Sequence, residues 1–134
     1  KMEQTYIMLK PDAVKRGFMG KIITRIEEKG YKIIDAKMMK LSEPILREHY
    51  AHLVDKPFFP SVLHYMMSGP VLAMVVEGEN VVVGMRKIMG ATKFEDAQAG
   101  TIRGDFAFNT QENLIHGSDS IENAKIEIKR FFNY

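Results

Sequence analysis

His116 stands in the run Asn113-Leu-Ile-His116-Gly-Ser-Asp119-Ser120, and these neighbours make it the residue of this chain best placed for covalent chemistry. Leu114 and Ile115 suit a strand, Gly117 frees the backbone for a tight turn, and a helix is expected near Asp119 or Ser120 with Glu122 as a capping-box partner. Phosphate is favoured beside a helix N-terminus, because the first-turn amides lack intrahelical partners and the helix dipole is positive there. An imidazole aimed at such a site is a candidate nucleophile. Against this, a lone histidine in an apolar segment is more often a satisfied structural residue. Other cations shift the balance: Lys10 precedes Pro11 at the end of an apolar run, Arg86 lies in a helical segment, and Arg103 sits between Thr101 and Gly104. Singly, each reads as a solvated surface charge. Gathered around His116, they would balance the charge on a phosphoryl group in transfer.

These side chains need a scaffold, and the hydrophobic pattern supplies one. Thr5 to Leu9 reads as a short buried strand, and Met19, Ile22, Ile23 and Ile26 recur at helical spacing until Gly30. Tyr31 to Leu41 alternates Ile34, Ala36 and Met38 with charged neighbours, which suits a half-buried strand before a helix capped by Ser42. Ile45 to Leu53 and Phe59 to Met67 read as two short helices around Asp55-Lys56-Pro57. Val71 to Val76 is most simply a central strand, and Asn80 can cap a helix ending at Gly90. Periodicity then fails until about Asn113, a long irregular loop of the kind that is often functional. Ile121, Ala124, Ile128 and Phe131 form one face of a last helix. The order of elements predicts an α+β, ferredoxin-like sandwich: a four-stranded antiparallel sheet covered by helices.

A chain of 134 residues suits one domain, taken as residues 1–134, with no repeat or linker. Lys1, ahead of Met2, is left out of the fold reading. The net charge of +2, with interspersed signs, argues against a general nucleic-acid binder and leaves room for a local anionic ligand. There is no cysteine, so disulfides and thiolate metal sites are excluded; without a secretion signal or long apolar span, a soluble cytoplasmic protein away from membranes is expected. The ten methionines fall mostly on apolar faces and read as core fillers.

The ordered motifs Lys10-Pro-Asp-Ala-Val, His49-Tyr50, Lys56-Pro-Phe58-Phe59, Ser68-Gly-Pro-Val71, Glu77-Gly, Gly90-Ala-Thr92, Gly100-Thr-Ile-Arg-Gly-Asp105 and Asn113-Leu-Ile-His-Gly-Ser-Asp-Ser120 resemble the nucleoside diphosphate kinase family over nearly the whole chain. The resemblance implies the same fold. It also implies transfer of the γ-phosphate of a nucleoside triphosphate, mainly ATP, to a nucleoside diphosphate, with ping-pong kinetics through a phosphohistidine on His116. Glu127, near Ser118, is implied as the partner of the other ring nitrogen; read without the resemblance, it is a solvated helix carboxylate. Lys10, Arg86, Thr92 and Arg103 form the implied phosphate set, a point charge, guanidinium forks and a hydroxyl suited to anionic oxygens. Tyr50 and Lys10 resemble the residues beside the reacting phosphoryl group, though Tyr50 also reads as core among Ile45, Leu46 and Leu53. Phe58 resembles the residue on which the base stacks, and Asn113 the sugar-hydroxyl ligand.

No spacing here forms a protein metal cage, and the implied cation is Mg²⁺ carried on the substrate phosphates. His49, His52 and His64 read as structural or surface residues. Two departures from the family pattern stand out: Lys93-Phe94 and Ala99 stand where the family usually has Asn-Pro and Pro in a loop that joins subunits, and Thr110 where an apolar base-contacting residue is common. The first bears on the stability of the implied homo-oligomer, a hexamer or alternatively a tetramer. A non-catalytic nucleotide-binding module on the same fold is the competing reading, and single-stranded nucleic-acid binding a third.

Overall fold

The computed structural model describes residues 1–134. Four strands, β1 (Met2–Leu9), β2 (Lys32–Met39), β3 (Val71–Glu79) and β4 (Ile115–Gly117), form one sheet in the order β2-β3-β1-β4. Every neighbouring pair is antiparallel. Seven helices connect and cover them: α1 (Pro11–Lys15), α2 (Met19–Glu28), α3 (Glu43–His49), α4 (Phe59–Met66), α5 (Val81–Met89), α6 (Ile102–Phe106) and α7 (Ile121–Phe132). The expected α+β fold with a four-stranded antiparallel sheet is the one observed.

The two central strands are apolar without alternation because both sheet faces are covered. Ile7, Leu9, Met74 and Val76 pack on one face against Ile22 and Ile26 of α2 and against Met85 and Met89 of α5. Tyr6, Met8, Ala73 and Val75 pack on the other against Leu46, Met66, Ile128 and Phe131. The last helix starts where its chemistry directs: Ser120 Oγ accepts from the Asn123 amide and caps α7.

Several expectations need correction. In β2, Ala36 and Met38 pair with Met74 and Leu72, but a register shift between Ile33 and Asp35 and the strand's place at the sheet edge leave Ile34, Ala36 and Met38 exposed. The region read as one irregular loop contains α6, whose Thr101 hydroxyl accepts from the Gly104 amide; five residues are too few to show a period. The same brevity hid α1, which begins at Pro11. Glu122 completes no capping box, since the third helical residue after Ser120 is Asn123. Ser42 and Asn80 occupy cap positions without a side-chain capping bond, and Asn80 is left-handed at φ 51°. Gly117 serves close approach instead of a turn: it lies inside β4, and a Cβ there would stand 2.6 Å from Met89 Sδ.

Gly104 is more tightly constrained, because its Cβ would fall 1.8 Å from the backbone oxygen of Gln98, which cannot rotate away. Gly104→Ala is therefore expected to destabilise the protein by at least about 2 kcal/mol, read as a lower urea midpoint; an unchanged midpoint would contradict the packing described.

Candidate active site

The polar residues converge at the end of the sheet where β1 runs into Lys10 and β4 carries His116. Lys10, Tyr50, Arg86, Thr92, Arg103, Asn113, His116 and Glu127 line one cavity of about 540 Å³. An adjoining, more apolar cavity of about 440 Å³ shares Lys10, Tyr50, Thr92 and Asn113 and adds Phe58, Leu53 and Val62. The two form a continuous cleft, polar at one end and walled by an exposed aromatic ring at the other. Ser118 is buried and reaches the group through Glu127. Every site residue named from the sequence is thus brought together.

His116 Nε2 and Glu127 Oε1 are 2.8 Å apart, and the Ser118 hydroxyl donates to the same carboxylate oxygen at 2.6 Å. Burial pushes the Glu127 carboxyl up, but the hydrogen bonds from His116 and Ser118 outweigh it and hold the group below its ordinary range. An ionised carboxylate only accepts, so the Nε2 facing it carries the ring proton and Nδ1 keeps its lone pair. A ring nitrogen with a free lone pair can act as a nucleophile.

The cations are fixed before any ligand arrives. Arg103 is buried and donates from Nε to the Asn113 carbonyl, from Nη1 to that of Gly90 and from Nη2 to that of Ile115, at 3.3, 3.0 and 2.5 Å. Arg86, on α5, reaches the Gly117 carbonyl at 3.5 Å. Lys10 Nζ donates to Asn113 Oδ1 at 2.8 Å, and burial together with the nearby Arg103 charge lowers its ammonium to about 7. Burial and Glu127 push the Tyr50 hydroxyl above its ordinary range, which keeps it a donor. Leu114, between Asn113 and His116, is held at φ 75°, a conformation costly for a side-chain residue and concentrated at functional sites.

The sequence reading missed His49, which lines the cavity and packs its ring edge-on against His116, with centroids 4.7 Å apart. Its adjacency to Tyr50 was the available signal. His52 also lines the cavity. Gln111 was missed as well; it lines the apolar end and exchanges hydrogen bonds with Ser61.

A family model described as nucleoside diphosphate kinase matches residues 3–134. The nucleoside diphosphate kinase of Thermus thermophilus is 51% identical over 131 residues, covering 98% of this chain and 96% of its relative. An apo crystal structure of the nucleoside diphosphate kinase from Encephalitozoon cuniculi superposes with a TM-score of 0.96 at 46% identity, over 98% of this chain and 90% of that one. A halophilic nucleoside diphosphate kinase from Halobacterium salinarum, solved in complex with CDP, gives 0.95 at 46% identity, over 100% and 90% of the two chains.

The lowered Lys10 ammonium has a pH signature. Between about 7 and its ordinary 10.5 the unfolded chain binds more protons at this group, so the stability cost of burying Lys10 is full below 7 and fades as pH rises. An anion in the cleft favours the charged form. Tripolyphosphate binding above pH 7 should therefore take up a proton and weaken by up to about tenfold per pH unit. Calorimetry in buffers of different ionisation enthalpy should show this uptake, and Lys10→Gln should abolish it.

Proposed function

This chain belongs to the nucleoside diphosphate kinase family and is a phosphotransferase, and we propose that it works by ping-pong transfer through a phosphohistidine on His116. The observation that carries the proposal is the His116–Glu127–Ser118 arrangement, which leaves Nδ1 as the basic nitrogen in a cleft of fixed cations. In the first half-reaction the Nδ1 lone pair attacks the γ-phosphorus of a nucleoside triphosphate. The bond from that phosphorus to the bridging oxygen breaks, and its electron pair leaves on the β-phosphate of the departing diphosphate. Glu127 accepts the Nε2 hydrogen bond throughout and offsets the positive charge that develops on the ring. The second half-reaction reverses these bonds onto another nucleoside diphosphate, so one cleft serves donor and acceptor in turn.

Lys10, Arg86 and Arg103 hold the phosphates, Thr92 and the Tyr50 hydroxyl donate to their oxygens, and Asn113 meets the sugar hydroxyls. These groups are positioned before charge develops, so little reorganisation accompanies the reaction. Phe58, 51% exposed at the apolar end, offers its face to the base. Stacking accepts any base, which fits a general nucleoside diphosphate substrate. The complex of the halophilic relative with CDP supports the same ligand class here.

Mg²⁺ enters as part of the nucleotide. Of the carboxylates lining the polar end, Glu127 is committed to His116 and Ser118, and Asp119 is kept ionised by the Asn123 side chain at 2.5 Å. Asp119 would accept from the waters of a phosphate-borne cation, which would supply charge neutralisation to the phosphates. The exposed edge of β2, with Ile34 and Met38, and the Phe94 loop are surfaces that a homo-oligomer, hexamer or tetramer, would cover. No helix is long and apolar enough to cross a membrane.

Incubation with γ-labelled ATP and Mg²⁺ should place acid-labile, alkali-stable label on His116 that chases onto GDP. His116→Ala should lose transfer yet bind nucleotide; near-normal turnover in this variant would refute the phosphohistidine, and bound nucleotide without label in the native chain would favour a binding module. Phe58→Ala should raise KM about tenfold or more for every base, with kcat less affected, as expected for the loss of roughly 1–3 kcal/mol of stacking.

A further inference from the structure

Behind the proposed nucleophile lies a second cluster that the mechanism leaves unused. His49 ends α3 with its side chain 1% exposed. Arg130, one turn beyond Glu127 on α7, donates from Nη1 to His49 Nδ1 at 2.9 Å and from Nε to Glu48 Oε2 at 2.9 Å. Glu127 Oε2 lies 4.0 Å from that same Nδ1. One ring nitrogen therefore faces a guanidinium that can only donate and a carboxylate that can only accept.

The guanidinium decides between them. Because Arg130 cannot accept, Nδ1 must present its lone pair, the ring proton resides on Nε2, and His49 has nothing to offer Glu127. The alternative, an Nδ1–H or doubly protonated ring, would turn His49 into a competitor for the carboxylate. It would also place a second cation edge-on against His116, at 4.7 Å between centroids and 77° between planes. The other groups facing His49 are Tyr6 from β1, Lys10 beyond it, and Glu48 and Tyr50 beside it in sequence. Burial first, then the His116 charge, lowers the His49 ring to about 3, against the opposing pull of Glu127; Arg130 and Lys10 add to the lowering.

We infer that Arg130 is a positioning residue which, anchored on Glu48, engages the His49 acceptor nitrogen and so reserves the Glu127 carboxylate for His116. This rests on the reading of His116 and Glu127 as the phosphoryl-carrying pair. Arg130 touches neither substrate nor the reacting nitrogen and acts through the two histidines.

The test uses the full chain with Arg130→Met and Arg130→Lys. Long-range ¹⁵N–¹H spectra read the tautomers of His49 and His116 without substrate, and single-turnover labelling by γ-labelled ATP gives the pH profile. In Arg130→Met, His49 Nδ1 should gain a proton as pH falls and draw Glu127 away from His116, so the acid limb of labelling should move up to follow His49, a roughly tenfold loss at pH 6 that recovers by pH 8. Arg130→Lys, which keeps a charged donor, should restore most of the native profile. A folded Arg130→Met with His49 still protonated on Nε2 and an unshifted profile would overturn the inference. If Arg130→Met does not fold, Glu48→Gln carries the test: it removes the anchor at an exposed residue and should shift the profile the same way by a smaller amount, and no shift is the overturning result. Absence of label in the native chain would instead sink the phosphohistidine reading, so the two failures are told apart.

Discussion

Glu127 must remain a carboxylate inside the protein, and much of the structure answers to that requirement. Burial opposes its charge, and the hydrogen bonds from His116 Nε2 and Ser118 Oγ, with the attraction of the two neighbouring histidines, reverse the balance. These donors belong to β4 and the turn after it, whereas the acceptor belongs to α7, so the dyad exists only while α7 is seated against the sheet. The seat is aromatic: the Tyr6 ring of β1 stacks on Phe131 of α7 at 4.6 Å between centroids, with planes 5° apart. The buried apolar contact of this helix thereby sets the geometry of a proton-bearing hydrogen bond.

The same logic governs the cations. Arg103 engages three of its five N–H donors with backbone carbonyls, and its position is decided by the folded backbone before a ligand arrives. Lys10 is held by Asn113, close enough to Arg103 for the two charges to disfavour each other. An unliganded cleft therefore carries electrostatic cost, and an anion relieves it. Left-handed Leu114, between Asn113 and His116, adds local backbone strain at the same place. Strain and unfavourable charge are concentrated in one cleft, as expected of a site assembled from conflicting requirements.

Much of this was legible in the residues. The continuous apolar runs of β1 and β3 announced buried strands, and the spacing of Ile121, Ala124, Ile128 and Phe131 announced the face of α7. Edge strand β2 was harder, since a register shift between Ile33 and Asp35 and its place at the sheet edge leave Ile34, Ala36 and Met38 exposed despite the alternation. Helices of five residues, α1 and α6, carry no period to detect. The reading of Gly117 as a turn residue failed because the demand on it comes from Met89, distant in sequence.

By itself the sequence determined the kind of chemistry and the class of fold: histidine, cations and an aromatic ring at motif spacings, on alternating strand and helix patterns. Residue type and periodicity left the charge state and contacts of those groups open, and the tertiary structure decided them. Glu127 read in isolation is a solvated helix carboxylate, and His49 a structural residue. Packing makes the first a shared, ionised acceptor and presses the second against His116, with Arg130 of another element at its ring nitrogen. The reason is physical: residue type and periodicity are local properties, whereas the charge state of a buried group depends on dielectric surroundings and donors supplied by segments far apart along the chain.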